Sequence, residues 1–165
     1  MFYYGRELYY NRLYTEAIAV LGESLTQDGW YVNKIEACKV LSACHLERGN
    51  KKSALEALLK SFLYGEPRAG VLCEIAKIYR SEKRLREAAF WYESALRCRS
   101  HVSEGDFENT SDLTMTPLLE LVCCYYDLGD KDRAIFWHKK SEECDAAHPS
   151  VVFNRKFFTG QGLLS

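Results

Sequence analysis

The sequence predicts an all-α fold built from stacked antiparallel helix pairs, and three observations carry that prediction. Small residues recur at a fixed interval of twelve positions in four separate segments. Apolar residues between them return every three or four positions, the period of an amphipathic helix. Helix breakers are scarce, with three prolines and ten glycines in 165 residues, and no alternating strand pattern is present.

The elements follow in order. In the first repeat, residues 1–27, Gly5 precedes Ala17 by twelve, and helices are expected near 2–11 and 15–26. The second, 33–64, places Ser42 before Ala54, with helices near 33–48 and 51–64. The third, 68–98, places Ala76 before Ala88, with helices near 68–81 and 85–98. The fourth, 115–145, places Val122 before Ala134, with helices near 116–128 and 131–145. Seven residues past each anchor alanine stands another small residue: Ser24, Ser61, Ala95 and Ser141. Five before it stand Arg12, Gly49, Lys83 and Gly129, where each pair must turn, and glycine there suits a left-handed helix end. "SVVFNRKFF" adds a capping helix near 149–158, and the tail "TGQGLLS" is expected to fray. An insertion, 99–114, separates the third and fourth repeats.

Two antiparallel helices approach closely only where side chains are small, so the spaced residues mark the contacts. Leu8, Leu13, Tyr14, Leu41, Leu55, Leu58, Ile75, Tyr79, Leu121 and Tyr125 are expected to fill the gaps between them. Two stretches repeat more closely: "EAAFWYESALRC" from Glu87 and "DRAIFWHKKSEEC" from Asp132. Their shared Phe90-Trp91 and Phe136-Trp137 pairs, and Cys98 and Cys144, read as a duplicated packing unit rather than a duplicated reactive site. The same register equates Cys44 with Cys124, each a small hydrophobe in an interhelical gap.

The anchor spacings are 37, 34 and 46, and the middle value is the 34-residue period of the tetratricopeptide repeat (TPR). The chain resembles that family along almost its whole length. The resemblance implies a right-handed superhelix of about four repeats, forming a single domain over residues 1–165. It also implies a concave face lined by the first helix of each pair. Arg6, Tyr9, Lys39, Lys77, Arg80 and Tyr126 fall on that face as candidate partner contacts. Tyrosines and cations there are not needed by the core, and they are side chains that interfaces favour. Some members of the family clamp a peptide carboxylate with Lys and Asn. Phe2 and Arg6 stand at the first two of those places, a departure from that pattern.

A closer resemblance rests on phrases in order: "FYYGRELYYNRLYTEAI", "GWYVNKIEACKVLSACH", "GEPRAGVLCEIAKIY", "AAFWYESAL", "TPLLELVCCYYDLGDKDRAIFWH" and "HPSVVFNRKFF". Together they resemble the C-terminal TPR region of bacterial family 2 glycosyltransferases, where a GT-A domain precedes the repeats. That implies a transferase parent and a non-catalytic role for this chain. The role would be acceptor docking, self-association or packing on the missing N-terminal GT-A domain. The alternative is a free-standing TPR adaptor or regulator that binds a peptide in its concave groove.

Chemistry elsewhere is sparse. No nucleotide-binding βαβ unit and no alternating strand pattern are present to carry nucleotide-sugar chemistry, so the chain is not expected to be an enzyme. The net charge of −1, from 22 basic and 23 acidic residues, provides no field for nucleic acid. The opening "MFYYGRELYY" carries charges too early for a signal peptide, and no apolar run reaches membrane-spanning length. It enters directly into amphipathic sequence, as a segment of a longer protein would. Seven cysteines, an odd number without C-x-x-C, suit reduced thiols in the cytoplasm. No metal or cofactor is expected: Cys44-His45 and Cys123-Cys124 are adjacent and diverge on a helix, and His45 takes an aromatic core position. Glu142-Glu143 and Glu104-Asp106 read as solvated faces. The sequon at Asn109 would matter only in a secretory compartment. Protein or peptide is therefore the expected partner, with a homodimer as a second use of the aromatics, burying Phe2, Tyr3 and Tyr4.

Overall fold

The computed structural model describes residues 1–100 and 109–164, and all its regular elements among them are helical. It divides into two compact units, Met1–Pro67 and Arg68–Ser165. The first contains α1 (Phe2–Tyr10), α2 (Tyr14–Ser24), α3 (Tyr31–Glu47) and α4 (Lys51–Lys60), which tightens into a 3₁₀ turn at Ser61–Leu63. Each of these helices packs on the next in sequence. The second contains α5 (Ala69–Ser81), α6 (Leu85–Ala95), α7 (Thr110–Leu113), α8 (Met115–Asp127), α9 (Lys131–Asp145) and α10 (Pro149–Gly160). Here α5 and α6 pair, α8 packs on α6, α9 pairs with α8, and α10 covers α9.

The four turns share one construction. Arg12, Gly49, Lys83 and Gly129 all adopt positive φ, at 61°, 73°, 61° and 78°. The amide just after each reaches back to a helix carbonyl: Leu13 to Leu8, Asn50 to His45, Arg84 to Tyr79 and Asp130 to Tyr125, each at 2.9 Å or less, or at 3.0 Å for Arg84. This is the Schellman closure, which satisfies carbonyls that a helix end would otherwise leave open. Two of the next helices then start on side-chain caps, Asn50 accepting from the Ser53 amide and Asp130 from the Arg133 amide.

The small positions perform as expected. Ala17, Ala54, Ala88 and Ala134 are completely buried. A Cβ built on Gly5 would stand 2.6 Å from the Leu21 side chain, so α1 and α2 meet at a distance only glycine permits. Leu21, Ile35 and Leu58 fill the first unit's core, and Ile75, Tyr92, Leu121 and Phe158 the second's. Ser61 and Ser141 are buried and return their hydroxyls to the Leu58 and His138 carbonyls at 2.6 Å. Ser24 makes the same bond to Leu21 but is only half-buried, because α2 ends there.

Several expectations are corrected. Leu13 is 45% exposed, because it is the cap residue of α2 and sits outside the helix's apolar stripe. Leu55, Tyr14 and Tyr79 are half-buried. The duplicated Phe90 and Phe136 do not pack inward: they are 58% and 51% exposed. Each lies two positions past an inward alanine, about 200° around the helix at 3.6 residues per turn. Trp91 and Trp137 are half-buried, Cys98 is intermediate and Cys144 is exposed, so the packing reading holds for the buried Cys44 and Cys124 alone. The tail does not fray at Thr159. α10 continues to Gly160, Gly162 takes φ 68°, and the Leu163 amide bonds the Phe158 carbonyl at 2.9 Å.

The insertion holds α7, capped by the Asn109 side chain accepting from the Ser111 amide at 3.1 Å. The remainder of that insertion from 101 to 108, with Glu104 and Asp106, lies outside the described residues.

Candidate functional site

In the first unit, α1 carries Arg6 and Tyr9, and α3 carries Lys39. The Arg6 guanidinium lies 5.6 Å from the Phe2 ring centre and 5.2 Å from that of Tyr3. Its Nε is buried without a hydrogen-bond partner. Tyr9 packs its ring 6.0 Å from Tyr14, and burial, aided by the Glu47 carboxylate, raises its phenol above the ordinary range. Lys39 Nζ is 2.8 Å from Glu36 Oε1, one turn earlier on the same helix. Phe2, expected to await a partner, is already part of this unit's core, whereas Tyr3 and Tyr4 are exposed.

In the second unit, α5 carries Lys77 and Arg80 and α8 carries Tyr126. Lys77 Nζ pairs with Glu74 Oε1 at 2.7 Å, and Arg80 pairs with Glu120 of α8. Both cations line a cavity of about 390 Å³, with Lys83, Tyr92, Glu120 and Asp127 among its walls. Beneath it Tyr92 is completely buried, and its hydroxyl has no hydrogen-bond partner. Burial and the nearby Glu120 carboxylate push that phenol well above its usual range. An unpaired buried hydroxyl costs about 1–3 kcal/mol, so this one calls for an explanation. Tyr126 does not line the cavity; its ring packs 5.3 Å from Phe157 and 6.0 Å from Phe158 of α10.

The structure thus joins Lys77 and Arg80 in one recess and gives Lys39, Lys77 and Arg80 acidic partners. The sequence did not show Glu120 or Tyr92 as site residues. Tyr92 was legible in principle, since it lies four positions past Ala88 on the same helix face.

Four of the seven thiols are held protonated by burial. Burial pushes Cys44 up to about 11, Cys38 and Cys124 up to about 12, and Cys73 higher still. A thiol held protonated at neutral pH neither attacks nor ligates readily. His45 is half-buried, and burial lowers its pKa. Among the described residues no group of three or more His, Cys, Asp or Glu side chains is placed to hold a metal ion. No helix among them is long and apolar enough to cross a membrane.

A family model described as tetratricopeptide repeat matches residues 69–100, which contain α5 and α6. The fold is of the tetratricopeptide type. Solved structures agree. The Pseudomonas aeruginosa pilF protein superposes with a TM-score of 0.61 at 20% identity, over 93% of this chain and 63% of that one. The present chain therefore spans less than two thirds of pilF. Two crystal structures of MamA superpose with TM-scores of 0.68 and 0.64, at 17% and 20% identity. They cover 96% and 88% of this chain, and 85% and 73% of MamA. Likeness at these identities concerns the TPR fold. No curated protein sequence gives a significant match.

Proposed function

We propose that this TPR chain is a protein–protein interaction module that binds its partner through the first helices of its pairs. On this reading the four repeats form one domain, and Arg6, Tyr9, Lys39, Lys77, Arg80 and Tyr126 supply the contacts. The observation that carries it is the recess holding Lys77 and Arg80 over the unpaired Tyr92 hydroxyl. Core packing explains neither the cations nor the orphaned donor. Because Lys77 and Arg80 are already paired, a partner must offer acceptors that replace Glu74 and Glu120. Such exchange favours selectivity over raw affinity.

The resemblance to the repeat region of bacterial family 2 glycosyltransferases supports a finer reading. The module would be the non-catalytic, cytoplasmic part of such a transferase, docking acceptors, self-associating, or packing on the GT-A domain. The alternative is a free-standing adaptor, and the match over 85% of a MamA chain of the same fold supports it. The reading frame preceding Met1 separates the two: a D-x-D-bearing α/β domain there decides for the transferase.

Binding is tested by double charge reversal, Lys77→Glu with Arg80→Glu, in the full-length protein. Partner capture and quaternary structure are compared with wild type by affinity purification and light scattering. Loss of a specific partner supports the groove reading; unchanged capture and unchanged mass refute it.

A further inference from the structure

A second cavity of the Arg68–Ser165 unit shares no lining residue with the recess around Lys77 and Arg80. It measures about 460 Å³ and is lined by Arg86, Ala89, Tyr125, Leu128, Asp130 and Arg133. These residues come from the first turns of α6 and α9, the end of α8, and the turn that follows it.

Arg133 is held in place before any ligand arrives. Its Nε lies 3.1 Å from Asp130 Oδ2, and its Nη1 donates to the Tyr125 hydroxyl at 3.3 Å. The guanidinium carbon sits 5.1 Å from the centre of the Tyr125 ring. Tyr125 in turn donates its proton to Glu93 Oε1 at 2.7 Å. Asp130 is fixed as well, since its side chain also caps α9 through the Arg133 amide at 3.1 Å. This network orients one guanidinium and leaves most of its N–H groups unused. Arg86 is different: it is exposed, and the neighbouring Glu87 carboxylate that feels its charge is already paired with Arg84 at 2.9 Å.

We propose that this cavity receives a carboxylate-bearing side chain of a protein partner, held between Arg86 and Arg133. The charge inside decides the ligand class. Two guanidiniums face Asp130 in the lining, and Glu93 lies behind the Tyr125 hydroxyl, so the surroundings are close to neutral and tolerate one added negative charge better than two. A carboxylate adds one, met directly by Arg86 and by the N–H groups that Arg133 has left over. A phosphate, carrying nearly two charges at neutral pH, leaves excess negative charge beside Asp130 and Glu93. The planar fork of arginine matches two carboxylate oxygens at once. Ala89, Leu128 and the Tyr125 ring form an apolar wall that suits the methylene stem of a glutamate. The pre-ordered Arg133 reduces the entropy lost on binding. This site is separate from the groove and does not depend on it.

The test is a titration of the chain with acetyl-Gly-Glu-Gly-amide, followed through the arginine Nε–H resonances in ¹⁵N NMR spectra. The glutamine and phosphoserine counterparts serve as controls. The expected result is a saturable shift of the Arg86 and Arg133 signals with the glutamate peptide, and binding at least about tenfold weaker with glutamine, or 1.4 kcal/mol. Arg86→Gln removes the response without altering the thermal midpoint, because Arg86 is exposed. Lys77→Glu with Arg80→Glu leaves it intact, so failure of the groove reading and failure of this site are distinguishable. The proposal is overturned by equal response to the glutamine peptide, by tighter phosphoserine binding, by a response that survives Arg86→Gln, or by the absence of any saturable shift.

Discussion

Exchanging glycine and lysine chemistry between two equivalent turns gives opposite, calculable effects. Gly129 and Lys83 occupy the same left-handed position, at φ 78° and 61°. A side chain there costs roughly 1–2 kcal/mol, and glycine gives back roughly 0.5–1 kcal/mol because its unfolded chain is freer. A Cβ on Gly129 would have nothing within 4 Å, so its replacement by alanine probes the backbone and not a clash. Gly129→Ala should therefore destabilise by about 0.5–1 kcal/mol, and Lys83→Gly should stabilise by a similar amount. For a chain of this size that corresponds to shifts in melting temperature of about 1–4 °C in opposite directions. Denaturant titrations should show moved midpoints at constant slope. A neutral Gly129→Ala together with a destabilising Lys83→Gly would refute the shared turn construction.

Three further outcomes follow from the same geometry. Ala88 is completely buried at a helix contact, so Ala88→Leu should overpack it and cost about 1–3 kcal/mol by chemical denaturation. His138 is buried between α9 and α10; burial lowers its pKa, the Glu142 carboxylate opposes that, and Arg155 reinforces it. Its folded pKa is thus below the unfolded value of about 6.5, so its stabilising contribution is intact above that pH and declines as pH falls further. His138→Gln should flatten the acid side of the stability profile measured between neutral and mildly acidic pH. Native alkylation followed by mass spectrometry should label the exposed Cys144 first and Cys38, Cys44 and Cys124 last, since burial raises their thiol pKa.

Much of the fold was legible because the information was steric and periodic. Gly5, Ala17, Ala54, Ala88 and Ala134 mark close approaches that any larger residue would block, and their interval fixed the helix pairs. The left-handed turns were legible even at Arg12 and Lys83, where the register and not the residue type points to them. Phe90 and Phe136 show that repetition in sequence does not by itself mean burial: their angular offset from the inward alanines places them outside. α7 was missed because one helical turn carries no periodic signal, only the Asn109 cap. The candidate site was legible in half: Lys77 and Arg80 are visible as uncommitted cations. Their partner Glu120 and the orphaned Tyr92 hydroxyl depend on how α5, α6 and α8 meet.

The most direct test of the interaction reading is hydrogen–deuterium exchange of the chain, alone and with the partner captured by the wild-type protein. Groove binding predicts slowed exchange in peptides covering α1, α3, α5 and α8, with the strongest effect around Lys77 and Arg80. Slowing confined to α2, α4, α6 and α9 would contradict it.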